Sequence, residues 1–119
     1  MTRKPFDTSI LDAAIAQRRK RHERQRLAVL SQAKGWLQIQ GSRYGLEQVY
    51  LFGSLICPYR FTDASDVDIA VEQIGPEAMF SAMAALSEAV ERDVDLIELS
   101  KCPFAHRIRQ QGVLWKRDN

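Results

Sequence analysis

The feature that most constrains this chain is the segment GSLICPYRFTDASDVDIAVE, residues 53 to 72, in which a Gly-Ser pair precedes a strand-like run with two aspartates. Side chains two residues apart in a strand point to the same face, so Asp66 and Asp68 are predicted to lie side by side. Like charges this close raise each other's pKa unless a cation lies between them. The segment therefore predicts a metal site on a strand.

Helical and extended segments alternate along the rest of the chain. From about Thr8 to Gln40 there is no proline and a single glycine, which predicts one long helix or two. QVYLFGS, DVDIAVE and VDLIEL are predicted as strands, PEAMFSAMAALSEAV and PFAHRIRQQG as helices, and VLW as a closing apolar segment. This order predicts an α/β (α+β) fold, with a mixed β-sheet flanked by helices and a long N-terminal helical arm.

The chain of 119 residues fits a single domain, which we divide into a basic arm over 1–45 and a core over 46–119. The polar run QRRKRHERQR, residues 17 to 26, is predicted as a solvated helix face in preference to a nucleic-acid patch, because no aromatic residues interrupt it. Leu27, Leu30 and Leu37 recur at helical spacing, so the second half of the arm is predicted to pack on the core. Self-association through the arm stays open.

Composition favours a globular protein of the cytoplasm. Apolar residues make up 45% and charged residues 27% of the chain, and no apolar run is long enough to cross a bilayer. The N-terminal residues lack the apolar run of a secretory signal. Cys57 and Cys102 lie far apart without metal-binding spacing, so reduced thiols are expected. We therefore expect a cytoplasmic location and no membrane contact.

A third acidic residue extends the aspartate pattern. Asp95 lies within the apolar run VDLIEL, where an unpaired carboxylate is costly, and we prefer it to Asp93 for that reason. Carboxylates suit Mg²⁺, which takes one or two of them and completes its shell with water and phosphate oxygens. Two such ions can assist displacement at phosphorus. Gly53 would let the backbone approach a triphosphate, and Ser54 would offer a hydroxyl and an amide.

This pattern of Gly-Ser, a spacer, Asp-x-Asp and a later Val-Asp-Leu strand resembles the minimal nucleotidyltransferase (MNT) family of the DNA polymerase β-like superfamily. It is most similar to the antitoxins encoded beside HEPN-domain toxins, over about Val49 to Trp115. The resemblance implies transfer of AMP from ATP, with Mg²⁺ in a two-metal site, to a hydroxyl of the partner toxin, in this branch a tyrosine. It implies a catalytic and metal-binding role for Asp66, Asp68 and Asp95, and a nucleotide-binding role for Gly53, Ser54, Arg60 and Ser65.

Two departures from the family pattern leave other functions open. The spacer between Ser54 and Asp66 has eleven residues, and ICP replaces the Ala-Arg-Gly that usually follows the Gly-Ser pair. The missing arginine leaves triphosphate charge less compensated unless Arg60 supplies it. The second hypothesis is therefore a weak or inactive antitoxin that neutralises its toxin by complex formation. A third is a subunit that acts on a small-molecule hydroxyl, and nucleic-acid polymerisation ranks last.

Overall fold

The computed structural model describes residues 7–118, and its helices and strands follow the predicted order. The helices are α1 (Ser9–Gln40), α2 (Pro76–Val90) and α3 (Ala105–Gln111), and the strands are β1 (Gln48–Phe52), β2 (Val67–Val71), β3 (Val94–Glu98) and β4 (Val113–Lys116). The closing VLW segment is thus part of a strand, paired with β1. The predicted α+β class, with a mixed sheet, flanking helices and a long N-terminal helix, is confirmed.

The four strands form one sheet in the order β3-β2-β1-β4. β1 is antiparallel to both of its neighbours, whereas β2 and β3 are parallel and joined through α2. The register pairs Phe52 with Asp68 and Asp68 with Asp95, so these three side chains lie on one face of the sheet. The topology alone therefore places two of the predicted site aspartates on adjacent strands.

Helices cover both faces of the sheet. The larger core lies on the face covered by α1 and α2, where alternate apolar residues of the strands, such as Leu51 and Ile69, are almost fully buried. On the opposite face, Ile108 of α3 and Ala70 of β2 belong to a smaller apolar cluster. Asp68 and Asp95 share this second face, because Ala70 lies two residues beyond Asp68. The site is thus on the side of the sheet that helices cover only in part.

The two halves of α1 differ in their contacts. Every residue from 9 to 21 is exposed, whereas a stripe spaced by three or four residues is buried in the second half. This stripe consists of His22, Arg26, Val29, Ala33 and Leu37. The predicted packing of the second half on the core is confirmed, but 17–26 is not a uniformly solvated face. Leu27 is 51% exposed because it lies off the buried stripe.

The burial of this stripe connects the arm to the rest of the fold. Val29, Ala33 and Leu37 belong to the same core cluster as the strands. The division at residues 45 and 46 stays a prediction. Within the described residues, no helix combines the length and the apolar character needed to span a bilayer.

Candidate active site

The turn after β1 brings backbone close to a carboxylate. Gly53 has φ +74°, a left-handed conformation that glycine adopts without steric cost. A Cβ atom at this position would collide with Oδ2 of Asp68. The chain continues in a 3₁₀ turn, Gly53–Ile56, in which the carbonyl of Ser54 accepts a hydrogen bond from the Cys57 amide at 3.1 Å. Glycine is therefore required at position 53 both for the turn and for the approach of Asp68.

The three predicted aspartates differ in their exposure. Asp68 is half-buried, whereas Asp66 and Asp95 are exposed. Burial, followed by the charges of Asp95 and then Asp66, raises the pKa of Asp68 to about 6. The three carboxylates are therefore near enough to influence one another, and the charged form is disfavoured at the half-buried Asp68.

Two details of the sequence-based prediction are wrong. The sequence pattern predicts Asp66 on the strand, but β2 begins at Val67, so Asp66 lies at the end of the preceding loop. The apolar run around Asp95 favours it over Asp93, yet Asp95 is exposed. Its neighbours Val94 and Leu96 face the core, and the alternation of the strand directs position 95 to the other face. What distinguishes Asp95 is its register with Asp68.

The carboxylates of Asp66, Asp68 and Asp95 can be compared with the ligand set that Mg²⁺ prefers. Within residues 7–118, no group of three His, Cys, Asp or Glu side chains has the arrangement to hold a metal ion. Mg²⁺ commonly takes one or two protein carboxylates and obtains its other ligands from water and substrate phosphates. Burial and the charges of Asp95 and Asp66 disfavour the charged form of Asp68, and a divalent cation bound there would offset this cost. The aspartates therefore fit Mg²⁺ in donor type, as ligands that a nucleotide would complete.

The remaining predicted residues lie in or after the Gly-Ser loop. Arg60 is exposed, and its side chain makes no hydrogen bond or ion pair with any described residue. The hydroxyl of Ser65 accepts a hydrogen bond from the Thr62 amide at 2.8 Å, and therefore fixes the turn before Asp66. Ser54 is half-buried beside Gly53. The structure thus leaves Ser54 in the glycine turn, engages Ser65 in its own loop and exposes Arg60 to solvent.

Arg92, which sequence reasoning did not select, holds the loop that leads to Asp66. Its Nη1 donates to the carbonyl oxygens of Thr62 at 3.1 Å and Ser65 at 2.7 Å. The guanidinium also lies 4.3 Å from the centre of the buried Phe61 ring. No motif marks Arg92, because its role depends on carbonyl groups 27 and 30 residues earlier in the chain.

The buried part of α1 holds the other end of the same loop. Arg26 donates from Nη1 to the carbonyl of Leu55 at 3.0 Å and from Nε to both carboxylate oxygens of Glu23. Glu23 in turn accepts a hydrogen bond from the Tyr59 amide at 2.8 Å. The hydrogen bond from Arg26 is the main reason that the pKa of Glu23 is lowered. The charged residues of 17–26 thus include a pair that positions the Gly-Ser loop.

Fold and site together indicate the nucleotidyltransferase class: a mixed sheet, a glycine turn after its first strand, and aspartates beside that turn. A family model described as "Polymerase beta, Nucleotidyltransferase" matches residues 37–119, which is more than half of the chain. The chain therefore belongs to the polymerase β nucleotidyltransferase family. The match includes all four strands and the whole loop from Gly53 to Asp66. Comparison with curated proteins and with solved structures gives no match.

Proposed function

We propose that this nucleotidyltransferase is a Mg²⁺-dependent protein adenylyltransferase, which acts as an antitoxin by transferring AMP from ATP to a tyrosine hydroxyl of a HEPN-domain toxin. The family supports the transferase class. The similarity of the Gly-Ser, Asp-x-Asp and Val-Asp-Leu pattern to the antitoxin branch supports the acceptor. The observation that carries the proposal is the half-buried Asp68 carboxylate, which lies against Gly53 and within the field of Asp66 and Asp95.

In this proposal Asp66, Asp68 and Asp95 hold Mg²⁺, and Gly53 and Ser54 hold the triphosphate. Bound Mg²⁺ supplies charge neutralisation for the phosphates and for the leaving pyrophosphate. The acceptor oxygen bonds to the α-phosphorus as the bond to the pyrophosphate oxygen breaks, and the hydroxyl proton passes to Asp95. Positioning and electrostatics supply most of the rate enhancement, as in other phosphoryl-type transfers.

The exposure of the site supports a large acceptor. β3 is an edge strand of the sheet, and both Asp95 on this strand and Asp66 just before the neighbouring β2 are exposed. A tyrosine on the surface of a folded protein needs such an open approach, whereas a small metabolite is usually enclosed in a pocket. The open edge therefore favours a protein hydroxyl over a small-molecule hydroxyl.

Labelling of the partner tests this function. The protein is incubated with Mg²⁺, ATP labelled in the α-phosphate and the HEPN toxin, and the label on each chain is measured. We expect label on a toxin tyrosine with the wild-type protein and its loss in Asp66→Ala. The matched control is Asp12→Ala, which removes an exposed aspartate from the first turn of α1 and should leave labelling unchanged. Absence of label on the toxin, with ATP bound, would overturn the proposed acceptor.

A second candidate is an antitoxin that acts by binding alone. The exposed position of Arg60 favours this function. Arg60 then does not replace the arginine that is missing after the Gly-Ser pair, and the charge of a triphosphate is less compensated. The same experiment separates the two functions when toxin activity is followed beside the label. Neutralisation by Asp66→Ala without label indicates binding, whereas loss of both in this variant indicates catalysis.

A further inference from the structure

A pocket of about 400 Å³ adjoins the site on the face of the sheet that carries the aspartates. Its walls come from the Gly53 turn, from β3 and from α3. The residues that matter for its chemistry are Phe52, Gly53, Ile97, Phe104, Arg107 and Gln111. Gly53 belongs both to this pocket and to the contact with Asp68. The pocket and the carboxylate site therefore share the Gly53 turn.

The lining of the pocket is apolar inside and polar at one side. Ile97 and Ile108 form apolar wall, and Phe104, which is 58% exposed, adds an aromatic ring. Arg107 and Gln111 are exposed on α3, one turn apart. Arg107 makes no hydrogen bond or ion pair with any residue in 7–118, whereas Arg109 on the same helix is paired with Glu72. The pocket thus combines an apolar interior with an arginine that makes no ion pair with the described residues.

We propose that this pocket binds the nucleobase of the substrate nucleotide and that Arg107 provides positive charge for its phosphates. The inference rests on the proposed function, since it adds a base subsite to the same active site. In ATP a single ribose separates the base from the α-phosphate, so a nucleotide whose α-phosphate lies at the Gly53 turn has its base close to that turn. Arg107 would supply the charge that the ICP sequence lacks after the Gly-Ser pair.

The dimensions favour a nucleobase over a protein side chain as the occupant. Small-molecule pockets typically occupy about 300–1,000 Å³ and combine apolar walls with a few polar groups that set orientation. Protein docking surfaces are broader and bury about 800 Å² on each partner. A flat base can stack against the Phe104 ring and use the Gln111 amide as a hydrogen-bond partner.

The exposed Cys57, which lines the pocket, gives a direct test. In a Cys102→Ala variant, the rate at which N-ethylmaleimide alkylates Cys57 is measured with Mg²⁺ alone, with Mg²⁺ and ATP, and with Mg²⁺ and inorganic triphosphate. We expect saturating ATP to slow alkylation at least about tenfold and inorganic triphosphate to leave it unchanged, because only ATP carries a base. As a control, equilibrium dialysis measures whether inorganic triphosphate competes with ATP, which checks that the triphosphate binds.

Two outcomes separate failure of this inference from failure of the proposed function. If ATP binds and triphosphate competes with it, but Cys57 reacts at the same rate with either ligand, the base subsite is wrong and the phosphate site stands. If neither ligand binds in the presence of Mg²⁺, the proposed nucleotide site fails, and the base subsite with it.

Variants of α3 and the segment before it give a second, independent readout. Phe104→Ala should weaken ATP binding about five- to tenfold, through the lost stacking, and leave the affinity for inorganic triphosphate unchanged. Arg107→Gln should weaken both ligands about tenfold. Arg109→Gln is the matched control, since it removes a cation that Glu72 already pairs, and should change neither. Unchanged ATP affinity in Phe104→Ala and Arg107→Gln would overturn the inference.

Discussion

Asp68 and Asp95 are direct partners in the sheet register, yet they lie in different surroundings. Asp68 is on the interior strand β2, half-buried, with the Gly53 backbone against its carboxylate. Asp95 is on the edge strand β3 and is exposed. The same residue type in the same register is therefore enclosed on one strand and open on the next. In the proposed mechanism, the enclosed Asp68 holds the ion, whereas the open Asp95 both contributes to the ion and faces the approaching acceptor.

Removal of the enclosed charge should have the largest effect. We expect Asp68→Asn to lower AMP transfer at least about a thousandfold, because the variant keeps the size of the side chain and loses the charge that we propose holds Mg²⁺. Transfer is measured as labelled AMP on the acceptor and as pyrophosphate released. The fold should not be weakened in the absence of Mg²⁺, since the burial of this charge is unfavourable. Activity within about tenfold of wild type would remove Asp68 from the metal site.

Replacement of the exposed Asp95 should have a smaller effect, and the neighbouring Asp93 provides a matched control. Asp95→Asn should lower transfer about a hundredfold, which is the lower end of the usual range for loss of a general base. Asp93→Asn is the control, because Asp93 is also exposed and lies just before β3. Its activity should stay within about threefold of wild type. Equal losses in the two variants would show that the register with Asp68 does not select the functional acid.

The sequence predicts the larger part of this site because its main features are local. Alternation in DVDIAVE orients Asp68, and the Gly-Ser turn after an apolar strand locates Gly53. It does not predict that Asp95 is exposed, because the burial of a strand residue depends on which face the flanking helices cover. The roles of Arg26 and Arg92 are also unpredictable from spacing. Both act on backbone carbonyls, which carry no sequence signature, across 27 to 30 residues.

The contact between Gly53 and Asp68 can be tested with a matched glycine. Gly45 has φ +75°, almost the same as Gly53, but a Cβ there would meet nothing within 4 Å. Ala at either position carries the left-handed penalty of about 1–2 kcal/mol. Gly53→Ala should lose at least about 1 kcal/mol more in the free energy of unfolding, because the new methyl displaces the Asp68 carboxylate. It should also lower transfer at least about tenfold, whereas Gly45→Ala retains activity.

Equal unfolding free energies and equal activities for the two glycine variants would contradict the close approach. Denaturant titration gives the first quantity and the labelling assay the second. A loss confined to stability would show that Asp68 moves without consequence for the ion.

The loop before Asp66 should be less sensitive than the aspartates themselves. Arg92→Lys keeps the charge but cannot donate to several carbonyls from a planar group, so we expect about a tenfold loss of kcat with an unchanged fold. Arg109→Lys is the control on a surface ion pair, where the effect should be below about twofold. A loss of stability in Arg92→Lys that accounts for the whole loss of activity would show that the arginine holds only the fold.

The pH dependence of stability should give the smallest effect, and it probes Asp68 without the partner. Its folded-state pKa of about 6 lies above the ordinary aspartate pKa of 3.8. The folded protein therefore binds more protons than the unfolded chain between these values, and the stabilisation from protonated Asp68 is lost as the pH rises through about 6. Because Asp68 is partly exposed, we expect a difference of no more than about 1 kcal/mol between wild type and Asp68→Asn over this window. Mg²⁺ should reduce that difference, since a bound cation stabilises the charged form.

Thermal unfolding of the two proteins from pH 4 to 7, with and without Mg²⁺, checks both statements. Parallel stability curves in all conditions would mean that the carboxylate is solvated like Asp95, and the contrast between the two strands would then not extend to their chemistry.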